Sequence, residues 1–337
     1  MLRAADITGV MALPPTPLRE GADPFGTEHT IDLDEATRVV DQLIRDGVSS
    51  IGLCGTTGEC ATLTWAEKQV LYAAVRDAVA GRVPLFAGAT ALGTRDVVEQ
   101  MRAIRALGLD GAFVGLPLWQ TPTVDNAVGF HADLSAAVPD LPVLVYANAF
   151  FFKFDYPLAF WQGIAARCPT VMACKVGFGF NREVFEAAGA QVNFMHGEGG
   201  TLGAAYEAVP ESVTAAWATS CAMGPEPWVA ALRAINAGDV DAAKAVLADI
   251  GSVPLPIPDF ADFAKYNLQL EKARIQAAGY MRCGPPRPPY TDLPPAWREA
   301  AETNGRAWAE LRARYTNLTS AASAASRSSA SERSITP

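Results

Sequence analysis

The sequence has little of what metal, redox and nucleic-acid sites require. Its 337 residues include three histidines, His29, His131 and His196, and these lie too far apart to predict a metal site from ligand spacing. The six cysteines show no Cys-x-x-Cys spacing, which is typical of a reduced, cytoplasmic protein. A net charge of −9 argues against nucleic acid as a partner. An anionic substrate would therefore have to be bound by local groups inside a pocket.

The sequence also lacks membrane-spanning segments and nucleotide-binding motifs. No apolar run reaches the ~20 residues that span a bilayer, so we expect no membrane association. No Gly-x-Gly-x-x-Gly turn follows the first apolar run, which disfavours a dinucleotide-binding open sheet. No Gly-Lys-Ser/Thr sequence follows the Gly-Thr-Thr-Gly segment, which excludes a P-loop there. The sequence thus predicts neither a cofactor nor a metal.

What the chain does contain is a series of short apolar runs at even intervals. They are nearly continuous rather than alternating, as in strands buried on both faces of a parallel sheet. The runs cover residues 9–13, 50–54, 84–88, 111–115, 142–146, 171–175, 192–195 and 213–217. The stretches between them have helical spacing, and Thr64 three residues before Glu67 predicts a capped helix start. Eight such units predict a (β/α)₈ TIM barrel, with a doubly wound sheet as the alternative.

We expect three segments along the chain. Residues 1–238 form the barrel. Residues 239–318 contain three further helical patterns, broken by a proline-rich stretch, and predict a helical appendage on the barrel. Residues 319–337 are mostly Ser and Ala and predict a disordered tail.

Lys175 ends the sixth apolar run. In a (β/α)₈ barrel, active sites lie at the C-terminal ends of the strands. Burial disfavours the charged ammonium and lowers its pKa, so a neutral amine there could attack a carbonyl and form an imine. A lysine whose stem is buried and whose charge reaches the rim, or one that pairs with a carboxylate, fits the position equally well.

Two other features lie at the same end of the predicted barrel. Tyr146 ends the fifth run and could relay protons beside Lys175, although a buried tyrosine at the edge of the core is the commoner case. Gly55, Thr56 and Thr57 follow the second run and could form a neutral cradle for a carboxylate, although such a segment is more often a plain turn.

Together these residues resemble the dihydrodipicolinate synthase / N-acetylneuraminate lyase superfamily of Schiff-base aldolases. The resemblance covers roughly residues 7–247 and includes the opening at residues 9–18. It implies that Lys175 forms an imine with pyruvate, that Tyr146 shuttles protons and that Thr56 and Thr57 hold the pyruvate carboxylate. It also implies a homotetramer.

The chain departs from most members of that superfamily after the fifth run. The usual Tyr-Asn-x-Pro segment and the arginine after it are missing, and phenylalanines occupy 150–152 and 154. The segment is more similar to the branch of hydratase-aldolases that act on aromatic ylidenepyruvates in polycyclic aromatic breakdown. Resemblance to that branch implies that Trp217 and Asn267 line the site. Some of the phenylalanines could form aromatic walls, and at least half are expected in core packing.

The sequence therefore predicts a lyase that binds a small keto acid. The expected reaction converts an aryl 2-oxo-3-enoate and water into an aromatic aldehyde and pyruvate. The alternatives are a related lyase or dehydratase for a sugar acid or amino-acid precursor, and a barrel that binds a keto acid without turnover. A carboxylated ring would need a cation at the pocket mouth, for which Lys153 is one candidate. His196 and Glu198 follow the seventh run and could activate water, or could be a plain polar loop.

Overall fold

Eight parallel strands pair in sequence order and close into a barrel, which confirms the predicted fold. The computed structural model describes residues 1–332 apart from 23, 24, 178, 180 and 199, and side chains except those of 260 and 317–332. The strands are β1 Gly9–Ala12, β2 Ser50–Leu53, β3 Leu85–Gly88, β4 Gly111–Val114, β5 Val143–Ala147, β6 Val171–Val176, β7 Asn193–Gly197 and β8 Ala215–Ala218.

Helices lie between successive strands and follow the last one. They are α1 Leu33–Arg45, α2 Trp65–Val79, α3 Thr94–Ala106, α4 Val124–Ala137, α5 Ala149–Phe152, α6 Leu158–Arg167, α7 Arg182–Ala188, α8 Thr201–Ala208, α9 Glu226–Ala237, α10 Val240–Gly251, α11 Phe263–Ala278 and α12 Pro295–Glu332. The capped start of α2 is confirmed, because Thr64 accepts from the Glu67 backbone N–H while the Glu67 carboxylate accepts from that of Thr64. None of the described helices combines the length and the apolar character that crossing a bilayer requires.

The strands that carry the predicted catalytic residues run one residue beyond the apolar patterns. β5 ends at Ala147 and β6 at Val176, so that Tyr146 and Lys175 are both the last residue but one of their strands. The two residues are direct partners in the β5–β6 register. Neighbouring residues at one level of a parallel sheet point to the same face, so both side chains enter the barrel mouth together.

The helix α5 was not predicted. It is a single turn that begins when the Asn148 side chain accepts a hydrogen bond from the Phe151 backbone N–H. This turn divides the phenylalanine run between two environments, because residues on a helix point in different directions.

The helices after the barrel lie against its C-terminal end. In α11, Lys272 is buried and donates to the Glu59 carboxylate and to the backbone oxygens of Thr16 and Pro285. The backbone of α12 runs to Glu332. The tail predicted to be disordered, 319–337, lies outside the residues whose side chains the structure describes, so it stays a prediction.

Candidate active site

A cavity of about 710 Å³ opens at the carboxyl ends of the barrel strands. Its walls come from the strand ends, the loops that follow them, and the helices α10, α11 and α12. All seven residues predicted from the sequence line this one cavity: Gly55, Thr56, Thr57, Tyr146, Lys175, Trp217 and Asn267. The fold therefore brings together residues that are up to about two hundred positions apart in the chain.

Lys175 lines the cavity and has 6% of its surface exposed. Its Nζ is 3.5 Å from the centroid of the Trp217 ring and 4.7 Å from that of Tyr146. Burial lowers the pKa of Lys175 to about 8, although the carboxylates of Glu198 and Glu271 oppose the shift. The ring faces also favour the charged form. The desolvation effect is the largest, so a substantial neutral fraction is present near neutral pH and can act as a nucleophile.

Tyr146 is held in place from three sides. Its hydroxyl is 2.9 Å from Thr56 Oγ1, its ring stacks on Phe113 at 4.8 Å, and Phe152 meets the ring edge-on at 5.1 Å. Burial raises the pKa of the Tyr146 phenol above its ordinary value. The group therefore stays protonated and can donate a proton or pass one on.

The segment that carries Thr56 and Thr57 needs its glycines. A Cβ at Gly58 would lie 2.6 Å from the backbone nitrogen of Cys54, so any larger residue would push the turn open. The hydroxyl of Thr16 donates to the Gly58 carbonyl at 2.8 Å. Glu59, which follows directly, has a left-handed backbone with φ of 60°. These contacts hold the segment as a fixed turn.

The Trp217 ring lies over Lys175, and the absence of a side chain at Gly197 in β7 provides the space for it. Trp217 pairs in register with Gly197, where a Cβ would lie 2.1 Å from the Trp217 carbonyl oxygen and 2.8 Å from its ring. The indole Nε1 donates to the Val176 carbonyl at 2.9 Å, which orients the ring. The side chain thus forms a fixed aromatic wall over the amine.

Much of the cavity wall is apolar. Phe150 and Phe151 line it, whereas Phe152 and Phe154 pack against Tyr146 and Phe160. This division agrees with the expectation that half of the phenylalanines belong to the core. Further apolar lining comes from Leu202, Leu247, Ile250, Val253, Leu255, Pro256, Ile257 and Phe263.

Two minor candidates, Lys153 and His196, lie outside the described walls of the cavity. Lys153 is exposed, and its role as a cation near the mouth stays a prediction. His196 is buried outside those walls, and burial lowers its pKa to about 4. Glu198, two residues later, does line the cavity.

Sequence reasoning missed two charged residues of α11. Glu271 and Arg274 line the cavity and pair with each other, and Arg274 also pairs with Glu198. Glu271 could have been predicted from Asn267, because it lies one helical turn later and shares the same helix face. Among the described residues, no group of three or more His, Cys, Asp or Glu side chains could hold a metal ion.

Comparison with known proteins identifies the family to which this chain belongs. The Dihydrodipicolinate synthetase family matches residues 20–304, which is most of the chain. The chain belongs to this family. A trans-O-hydroxybenzylidenepyruvate hydratase-aldolase of Pseudomonas putida is 39% identical over 321 residues, with 93% of this chain and 96% of that protein covered. A trans-2'-carboxybenzalpyruvate hydratase-aldolase of Nocardioides sp. (strain KP7) is 36% identical over 319 residues, with the same two shares covered.

A solved structure is also similar over nearly its whole length. PhdJ bound to a substrate intermediate superposes with a TM-score of 0.88 at 38% identity, covering 93% of this chain and 99% of that one. The family and these relatives indicate that the chain is a lyase of the class I aldolase type.

Proposed function

We propose that the protein is a hydratase-aldolase of aromatic ylidenepyruvates. It converts an aryl 2-oxo-3-enoate and water into an aromatic aldehyde and pyruvate, through an imine on Lys175, in the breakdown of polycyclic aromatic compounds. The observation that carries the proposal is the buried Lys175 amine between a hydroxyl-bearing cradle and an apolar, partly aromatic chamber. The names of the relatives point the same way.

The two ends of the cavity match the two ends of such a substrate. Thr56 and Thr57 present hydroxyl and backbone groups to a carboxylate, which a neutral turn can bind without a cation. Phe150, Phe151 and Trp217 offer flat faces to an aryl ring. The 2-oxo carbon would then lie at the Lys175 amine, between the two.

The chemistry follows from a single electron sink. The Lys175 amine adds to the 2-oxo carbon, and loss of water leaves a protonated imine conjugated with the double bond. Tyr146 passes protons to and from the carbinolamine. Water adds at the ring-side carbon, the electron pair moves to the imine nitrogen, and the resulting enamine is protonated on its carbon. Retro-aldol cleavage then releases the aldehyde, and hydrolysis of the remaining pyruvate enamine frees Lys175.

The first experiment tests the imine. Protein incubated with pyruvate and reduced with borohydride is expected to gain the mass of one reduced pyruvate. Lys175→Ala is expected to abolish the adduct, whereas Lys153→Ala, which removes an exposed lysine, is expected to keep it. An adduct that survives Lys175→Ala would contradict the assignment.

The second experiment tests the substrate. Benzylidenepyruvate absorbs strongly because its ring, double bond and ketone are conjugated, so hydration and cleavage abolish the absorbance while benzaldehyde accumulates. We expect both signals from the unmodified protein. A protein that forms the pyruvate adduct yet leaves benzylidenepyruvate unchanged would be another keto-acid lyase or dehydratase, and the aromatic proposal would be wrong.

A further inference from the structure

A cluster of three charges lies on the cavity wall, in which Glu271 and Arg274 are buried and Glu198 is half-buried. Arg274 donates to Glu271 Oε2 from Nε at 3.0 Å and from Nη2 at 2.8 Å, and Nη2 also lies 3.2 Å from Glu198 Oε2. The cluster joins α11 to the loop after β7. It holds two carboxylates and one guanidinium, so its carboxylates are not fully neutralised by Arg274.

The oxygen atoms of the two carboxylates are used differently. Glu198 Oε1 accepts from the Ser220 backbone N–H at 2.6 Å and its Oε2 accepts from Arg274, so both oxygens are engaged. Arg274 binds Glu271 through Oε2 alone. Among the described residues, the hydrogen bonds to the Glu271 carboxylate all go to Oε2, which leaves Oε1 without a donor, and this residue lines the cavity. Glu271 therefore has an acceptor available to a molecule in the cavity.

Asn267 extends this polar wall by one turn of α11. It is buried, lines the cavity, and forms no side-chain hydrogen bond with the described residues. Residues four apart on a helix are neighbours. The Asn267 amide and the open Glu271 oxygen can therefore contact the same water molecule.

The surroundings of Glu271 keep it near the point of changing protonation. Burial is the largest effect and raises the pKa of Glu271, and Glu198 raises it further, whereas Arg274 and Lys175 lower it. A carboxyl group with a raised pKa is a stronger base than an exposed one when it is ionised.

We infer that Glu271 is the general base for the water that adds to the ring-side carbon of the substrate, with Asn267 orienting that water. This inference rests on the proposed hydratase-aldolase function. As the water oxygen bonds to carbon, its proton passes to Glu271 Oε1 and the electron pair of the double bond moves to the imine nitrogen. The enamine carbon takes up a proton from solvent in the next step, and Glu271 returns its own proton to solvent, so that one water molecule is added in total. In the retro-aldol step, the ionised Glu271 takes the hydroxyl proton while the carbon–carbon bond breaks.

The other groups near the cavity suit this role less well. Tyr146 stays protonated and its hydroxyl is bound to Thr56, on the cradle side. Both oxygens of Glu198 are engaged. His196 lies outside the described walls.

The test separates imine chemistry from water chemistry with Glu271→Gln. Exchange of the pyruvate methyl protons in D₂O and the borohydride adduct need Lys175 but no activated water, so both are expected to persist. Loss of benzylidenepyruvate is expected to slow by on the order of 10²–10⁴-fold in kcat, the usual contribution of a general base. Cleavage of 4-hydroxy-2-oxo-4-phenylbutanoate, the hydrated compound, is expected to slow as well.

A matched control breaks another Glu–Arg pair, in which Glu226 is buried and Arg312 is partly exposed. Glu226 accepts from Arg312 at 2.9 Å and 3.0 Å, and the described walls of the cavity do not include it. Glu226→Gln is expected to keep kcat per folded enzyme, so a loss confined to Glu271→Gln is not a general effect of breaking such a pair. If Glu271→Gln does not fold, Glu271→Asp is the second variant. Its shorter side chain keeps a charge for Arg274 but moves the second carboxylate oxygen away from the cavity, and the same loss is expected.

The possible results distinguish a failure of the proposed function from a failure of the role of Glu271. Unmodified protein that ignores benzylidenepyruvate would sink the proposed function. Unmodified protein that consumes it, together with a Glu271 variant that does so within about tenfold, would leave that function intact and overturn the role of Glu271. Loss of methyl-proton exchange in the folded variant would also overturn it, because Glu271 would then act on the imine.

Discussion

Replacing Glu59 with glutamine is expected to destabilise the fold by about 3–5 kcal/mol, the range found when one partner of a buried ion pair is removed. Glu59 follows the cradle and is buried together with two cations. Its Oε2 lies 3.0 Å from Lys272 Nζ and also contacts Arg287 Nη1, while its Oε1 accepts from the Arg287 backbone N–H at 2.7 Å. Glutamine keeps the shape and removes the charge.

The expected loss of stability follows from the two buried cations that remain when the Glu59 charge is removed. The side chains of Lys272 and Arg287 are 1% and 2% exposed. Their other partners are neutral: the carbonyls of Thr16, Pro17 and Pro285, and the Thr30 hydroxyl. Without Glu59 the cluster would hold two buried cations with no carboxylate in direct contact. Most domains have 5–15 kcal/mol of stability, so the loss would be a large share.

Urea unfolding followed by tryptophan fluorescence measures this difference. Arg282→Ala is the control, because Arg282 is 74% exposed and its partner Glu35 keeps Arg38 at 2.7 Å, so the expected cost is at most about 1 kcal/mol. Adding Lys272→Met to Glu59→Gln removes one of the stranded cations and is expected to recover part of the loss. A Glu59→Gln cost no larger than that of Arg282→Ala would refute the reasoning.

Three further outcomes are expected. Because the Lys175 pKa is lowered to about 8, the rate of pyruvate imine formation should rise about tenfold per pH unit below pH 8 and level off above it. Cyanoborohydride trapping with mass spectrometry measures this rate, and a plateau reached only above pH 10 would mean that the amine is not perturbed. Trp217→Ala should raise KM for benzylidenepyruvate, whereas Trp217→Phe should restore most of the aromatic contact; equal KM values in both variants would exclude an aromatic wall at this position. Gly197→Ala should lower the melting temperature, since its Cβ would overlap the Trp217 carbonyl, whereas Gly129→Ala in α4, with open space around it, should not; scanning calorimetry compares the two.

The barrel could be predicted because its strands carry the signal locally. Each strand is a nearly continuous apolar run, and the structure buries nearly every residue of the eight strands. The positions of Lys175 and Tyr146 at neighbouring strand ends followed from chain order alone. Their direct pairing did not, because the β5–β6 register shifts between Val143 and Leu144. A shift of this kind depends on tertiary packing and leaves no local pattern.

The charged residues of the cavity could not be predicted in the same way. Glu271, Lys272 and Arg274 lie in a helix, where charged side chains ordinarily face solvent. They are buried here because α11 lies across the mouth of the barrel, and that position is set by contacts with distant segments. The phenylalanine run was ambiguous for a related reason, since the single turn of α5 decides which rings reach the cavity. The homotetramer implied by the resemblance stays a prediction.

The helix α11 joins the two ends of the site. Glu271 faces the cavity, whereas its neighbour Lys272 points to Glu59 beside the cradle, because successive helical residues are about 100° apart. A displacement of α11 would therefore move the turn of Thr56 and Thr57 and the open Glu271 oxygen together. For this reason Glu59→Gln should lower kcat per folded enzyme as well as stability, although Glu59 does not line the cavity. Arg282→Ala leaves α11 anchored and should keep kcat, at a cost in stability of at most about 1 kcal/mol.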